Sequence, residues 1–137
     1  MESEKPVVAI RQIWPLLFVH DIERSVAFYR DGLGFTLARR ADAHGKMFWC
    51  RLERGVVSIM LQQGTAEDGA AEGRGRGVVF YLICDDADAI YAEFSSRGLR
   101  LDPPTVVYYA MKQLVVPEPD GYALCFESEV TAAEGSR

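Results

Sequence analysis

Apolar and polar positions follow two different periods along this chain, and the two periods take turns in the same order twice. Residues 13–19 form an apolar run read as a strand, and Asp21 just after it supplies a side-chain oxygen for the free N–H groups of a helix. Ile22, Val26, Tyr29 and Leu33 recur at helical spacing on one face, and Gly32 and Gly34 end the helix. Strands are predicted over 35–40, 46–53 and 56–62, with a turn at Ala43-His44-Gly45 and a tight Arg54-Gly55 hairpin.

The second half repeats the order. A strand over 78–84 leads to a cap at Asp85 or Asp86 and a helix to residue 97, closed by Gly98, with Ala87, Ile90 and Phe94 on its apolar face. A weaker strand starts at Leu99 and is broken by Pro103-Pro104. Strands over 109–116 and 122–127 follow, joined by Pro117-Glu118-Pro119-Asp120-Gly121. Each half therefore reads β-α-β-β-β, with modules at about 11–62 and 77–130 and a linker over 63–76. Two copies of one such unit cannot each bury an apolar face alone, so they pack on one another within one domain. Arg74 and Arg76 in the linker are read as solvated charge, and Glu118 and Asp120 as turn residues with structural duties.

The hairpin divides the first sheet into two faces. With Arg54-Gly55 as the turn, Phe48, Cys50, Leu52, Val57, Ile59 and Leu61 point one way, toward the helices. Met47, Trp49, Arg51, Ser58, Met60 and Gln62 point the other way, and Trp49 stands directly opposite Met60. That second face mixes large adaptable groups with polar ones. A closed core avoids such a mixture and a small-molecule cleft uses it; plain solvent exposure is the competing reading, and Trp beside two Met fits it poorly.

Composition narrows the partners. Hydrophobic residues make up 49% of the 137, and the net charge of −5 argues against nucleic acid and leaves room for a cationic ligand. No apolar run is long enough to cross a bilayer, and the acidic opening is unlike a secretory signal. Cys50, Cys84 and Cys125 lie in predicted strands without metal-ligand spacing and read as reduced, buried thiols of a cytoplasmic protein. His20 and His44 lie at element ends and are read as surface residues. No Ser–His–Asp or Cys–His set assembles from these positions, and the acidic pair Asp85/Asp86 is explained by capping.

The residues also resemble a known family. Asp21-Ile22-Glu23-Arg24-Ser25-Val26-Ala27-Phe28-Tyr29 with Leu33-Gly34-Phe35, then Cys84-Asp85-Asp86-Ala87-Asp88-Ala89, then Met111-Lys112-Gln113-Leu114 and Pro119-Asp120-Gly121-Tyr122, are similar to the motifs of the vicinal oxygen chelate superfamily. That superfamily includes glyoxalases, dioxygenases and bleomycin resistance proteins. Ala110 for the usual Gly and Pro117-Glu118 for the usual Arg-Asp are departures. The resemblance implies an α+β fold of two βαβββ modules forming a curved mixed eight-stranded sheet.

In enzymes of the superfamily a divalent metal is held from the first and fourth strand of each module. The corresponding positions here are Trp14, Met60, Val79 and Cys125, a set unsuited to such an ion. The resemblance is thus to the metal-free, bleomycin-resistance-like branch, which implies a homodimer that sequesters a drug without chemistry and without a cofactor. A ligand-binding cleft is expected from Trp14, Leu16, Phe18, Trp49, Arg51 and Met60 in the first half and Tyr81, Tyr109, Met111 and Cys125 in the second. Ser58 and Gln62 would help Arg51 orient the ligand. A lyase or dioxygenase with an atypical metal site is the alternative, and a subunit whose apolar face serves dimerisation alone is a third reading.

Overall fold

The computed structural model describes residues 5–65 and 74–130. In the first module, β1 (Leu16–Val19) is followed by α1 (Ile22–Ala27), a π-helical turn (Phe28–Gly32), and then β2 (Thr36–Ala43), β3 (Lys46–Arg54) and β4 (Val57–Gln63). In the second, β5 (Val79–Ile83) leads to α2 (Ala87–Ser96), β6 (Thr105–Val106), β7 (Met111–Pro117) and β8 (Ala123–Glu129). Hydrogen bonds join the eight strands as two four-stranded sheets, β1-β4-β3-β2 and β5-β8-β7-β6. Both sheets are mixed, because β1 runs parallel to β4 and β5 parallel to β8. The two βαβββ modules of an α+β fold are therefore present. Among the described residues no helix is long and apolar enough to cross a membrane.

Both helices start where the sequence says they should. Asp21 accepts from the Arg24 N–H, and Asp86 accepts from the N–H groups of Asp88 and Ala89. Ile22, Val26, Tyr29 and Leu33 are all buried, as their spacing predicts. The widened turn ends with the Leu33 N–H donating to the Phe28 carbonyl, five residues back. One side of each sheet carries the helices, and these two sides merge in one core. Leu17, Val19, Cys50, Leu52 and Leu61 of the first module belong to the same cluster as Phe94, Leu114, Leu124 and Phe126 of the second.

Several boundaries and one register differ from the sequence expectation. Gly55 and Val56 form the β3–β4 turn, with Arg54 paired to Val57. Gly55 has φ +57° and sits first in the turn, where a II′-type hairpin needs a positive φ. The register accordingly pairs Trp49 with Gln62 and Arg51 with Met60, so Trp49 and Met60 are diagonal neighbours on one face and not direct partners. A bulge at Phe48 follows, since Ala41 pairs with Trp49 and Asp42 with Met47. It exchanges the sides of the residues before it: Met47 enters the core and Phe48 is exposed. Leu99 starts no strand, because the second strand of the second module forms only after Pro103-Pro104, at Thr105–Val106.

The turn between β7 and β8 locks the modules together. Asp120 Oδ1 accepts from the His20 N–H at 2.8 Å and from Arg74 Nη1 at 2.7 Å, and its Oδ2 accepts from the Ser25 hydroxyl. Tyr122 donates its hydroxyl to the Phe18 carbonyl at 2.7 Å. Arg74 is thus no solvated linker charge: its side chain is 9% exposed and that of Asp120 1%. Gly75 beside it has φ +71°, and a Cβ there would lie 2.6 Å from the Tyr122 ring, so glycine alone fits. Glu118 is also buried, its Oε2 accepting from the N–H groups of Asp120 and Tyr122. Burial holds its carboxyl above the usual carboxylate range. Together with the charge on Glu118, burial holds the Tyr29 hydroxyl well above its own ordinary value. At the other end of the seam, Arg54 donates to the Leu33 carbonyl and to both Glu93 oxygens.

Two substitutions test this packing. Asp120→Ala leaves Arg74 buried without its counter-charge and should cost about 3–5 kcal/mol in urea unfolding, the range for breaking a buried pair from one side. A loss within experimental error would show that the pair does not hold the modules. Ala110 occupies φ +61°, a left-handed conformation that its Cβ resists. Replacing it with glycine should therefore raise stability by ~1 kcal/mol, despite the entropy glycine loses on folding. A drop in melting temperature would contradict that reading of the turn.

Candidate functional site

The side of each sheet turned away from the helices is open, and the expected site residues divide between these two open faces. On the first sheet, β1 alternates so that Leu17 and Val19 enter the core while Leu16 and Phe18 stay exposed. Trp49, Arg51 and Met60 are half-buried on the same side, beside Gln62 and the buried Ser58. Trp14 precedes β1 and is 42% exposed. It donates its indole N–H to Gln12 at 2.7 Å, and the Arg51 guanidinium lies 4.7 Å from the centre of its ring. Arg51 also donates to Glu53 at 2.9 Å and to Ser58 at 3.2 Å. The cation is thereby fixed over an aromatic face.

On the second sheet, Tyr81 is 51% exposed on β5, Met111 is half-buried on β7, and Cys125 is buried on the central strand β8. Tyr109 is not in a strand as expected. It belongs to the turn before β7, which closes with the Ala110 N–H donating to the Val107 carbonyl. Its hydroxyl donates to Glu127 Oε1 at 2.7 Å and accepts from Gln113 Nε2 at 2.6 Å. The bond to Glu127 pushes the Tyr109 hydroxyl up. Glu127 and Gln113 were missed by sequence reasoning. The signal available was the strand period: Glu127 stands two residues after Cys125 and Gln113 two after Met111, so each shares its neighbour's face.

Among the described residues, no hydrogen bond or ring contact joins the Trp14–Arg51 group to the Tyr109–Glu127 group. What lies between the sheets is a groove of 620 Å³, bordered by residues 56–59 at the start of β4, by β5, and by Arg11, Gln12, Ile13 and Pro15. Among the described residues both bordering edges lack a strand partner, because β1 begins its pairing with β4 at Met60 and β5 pairs with β8 alone.

The four positions that would correspond to metal ligands in related enzymes do not make a metal site. Trp14 and Val79 offer no lone pair to an ion. Met60 is a soft thioether, and burial pushes the Cys125 thiol up, away from the thiolate that binds metal. Among the described residues, no three His, Cys, Asp or Glu side chains are grouped as a metal would require. Cys50 is raised further, to about 11, chiefly by burial, and is no nucleophile at neutral pH.

These two modules, their order and their paired open faces define the class of the fold. Residues 11–126 match the family model of the glyoxalase/bleomycin resistance protein/dioxygenase superfamily, and the chain belongs to that superfamily. Among solved structures, the chain is similar to a bleomycin resistance determinant encoded on the transposon Tn5, at TM-score 0.71 and 22% identity over 89% of this chain and 100% of that one. A bleomycin-binding protein complexed with bleomycin matches at TM-score 0.70 and 22% identity, over 88% and 100%. An antibiotic-binding protein from Streptomyces sp. CB03234 matches at TM-score 0.68 and 22% identity, over 90% and 100%. A search of curated proteins by sequence finds no match.

Proposed function

We propose that this protein binds a small molecule without a metal and sequesters it, the ligand being an aromatic or cationic apolar compound such as an antibiotic. The observation that carries this reading is the open face of the first sheet. Trp14, Leu16 and Phe18 leave about two-fifths of their surface in solvent beside a fixed Arg51. Surface aromatics grouped in this way mark a recognition site more than a plain exterior. The unsuitable metal positions point the same way, as does the likeness to proteins described as binding bleomycin or an antibiotic. Trp14 and Trp49 would stack on a planar ligand, Met60 and Met111 would adapt to its outline, and Arg51, Ser58 and Gln62 would orient it.

The working unit in this reading is a homodimer. The described N-terminal arm is exposed, with Val7 94% and Ile10 97% in solvent, and β4 and β5 offer open edges at the 620 Å³ groove. A second copy placed there would cover apolar surface and satisfy strand edges at once. It would also bring the open face of one sheet toward its counterpart on the other copy.

Screening planar aromatic and peptide antibiotics by quenching of tryptophan fluorescence tests the binding reading. For a compound that quenches, Trp49→Ala should weaken binding by roughly 1–3 kcal/mol while the protein still folds, the range for truncating one aromatic side chain that packs on a ligand. Unchanged affinity, or an unfolded variant, would show that the first sheet's open face is not the cleft. One tightly held metal ion per chain by elemental analysis would overturn the metal-free assignment.

A further inference from the structure

Glu127 is unlike the other buried carboxylates among the described residues. Asp120 faces Arg74, and Glu118 receives two backbone N–H groups. Glu127 is 7% exposed, yet both its side-chain partners are neutral and share one oxygen: the Tyr109 hydroxyl at 2.7 Å and Gln113 Nε2 at 2.9 Å from Oε1. Among the described residues, Oε2 accepts no hydrogen bond and Glu127 forms no ion pair. A carboxylate held this deep without a counter-charge is a cost to folding, and glutamine would satisfy Tyr109 equally well.

The surroundings suit a cation. By strand alternation the open face of the second sheet carries Tyr81, Met111, Gln113, Cys125, Glu127 and Glu129, and its strands place no Lys or Arg there. Lys112 belongs to the opposite side and donates to Asp88. Tyr109, which donates to the carboxylate, and Tyr81, opposite Cys125 on the neighbouring strand, both stand about half-exposed, and their ring faces attract positive charge. Arg51 on the first sheet is the contrasting case. Glu53 and the Trp14 ring already balance its charge, and the exposed Arg39 stands opposite it on β2, so the first sheet's face carries cations where the strands of the second carry only carboxylates.

We infer that Glu127, flanked by Tyr81 and Tyr109, receives a cationic nitrogen of the bound small molecule: an ammonium, amidinium or guanidinium group. This rests on the small-molecule reading above and names the chemical group that the second sheet recognises.

Matched probes separate the two claims. Benzamidine carries an amidinium cation and benzamide is its neutral counterpart of similar shape. Benzamidine should shift the NMR signals of Tyr81 and Tyr109 and benzamide should not. Glu127→Gln, which keeps the acceptor for Tyr109, should weaken benzamidine by about tenfold or more, as expected for a hydrogen bond to a charged group. The same variant should melt higher than the parent in the absence of ligand, whereas a structural carboxylate would make it melt lower. No response of these tyrosines to benzamidine, equal weakening of both probes, or a lower melting temperature overturns the cation site. Replacement of the small-molecule cation by a basic group of a second copy would show as dimer dissociation in Glu127→Gln, and that result also overturns it. Proflavine, a planar tricyclic cation, tests the wider cleft: a benzamidine response without tryptophan quenching by proflavine leaves the cation site standing and removes the aromatic cleft on the first sheet.

Discussion

The carboxylate of Asp120 is the point on which the arrangement of the two modules depends. One side chain takes up the N–H of His20 at the end of β1, the Ser25 hydroxyl on α1 and the guanidinium of Arg74 on the connection between modules. The second module's last turn thereby fastens onto the first module's strand-to-helix junction. Burying a charge so completely is tolerable only because each oxygen is occupied. Since the fastening is on the helical side, that side becomes the shared core. The opposite side of each sheet carries neither helix.

That division explains why the site residues do not form one cluster. Trp14, Leu16, Phe18 and Arg51 belong to one uncovered face and Tyr81, Tyr109 and Glu127 to the other, and the chain's own core lies between the helices and the far sides of both sheets. The superfamily's fold hosts several chemistries, so the fold alone does not select among them. The side chains at the four metal-corresponding positions do: an indole, a thioether, an isopropyl group and a protonated thiol hold no hard ion. What remains on these faces is aromatic and sulfur-bearing, with charge at Arg51 on one and Glu127 on the other.

Much of this could be read from residue order. The helical spacing of Ile22, Val26, Tyr29 and Leu33, the two Asp caps and the strand alternation are local effects, and each appears in the structure as its local physics requires. The failures are positions where a non-local contact or a single backbone torsion decides. Gly55 could take either place in its turn, and its actual place slid the β3–β4 register so that Trp49 pairs with Gln62 and not with Met60. The Phe48 bulge depends on β2 alongside, which no pattern within β3 announces. Arg74 lies in a stretch of apparently solvated charge, and only the folded turn brings Asp120 to it. Glu127 was hidden for the opposite reason: it shares Cys125's face, but its lack of a cationic partner exists only in three dimensions.

In the proposed homodimer, a second copy of the chain completes the faces and strand edges that the shared core leaves open. Light scattering on the intact chain at micromolar concentration measures this directly. The account predicts twice the chain mass of 15.3 kDa, and the single mass once residues 5–13, the exposed arm, are removed. A mass of 15.3 kDa for the intact chain would contradict it.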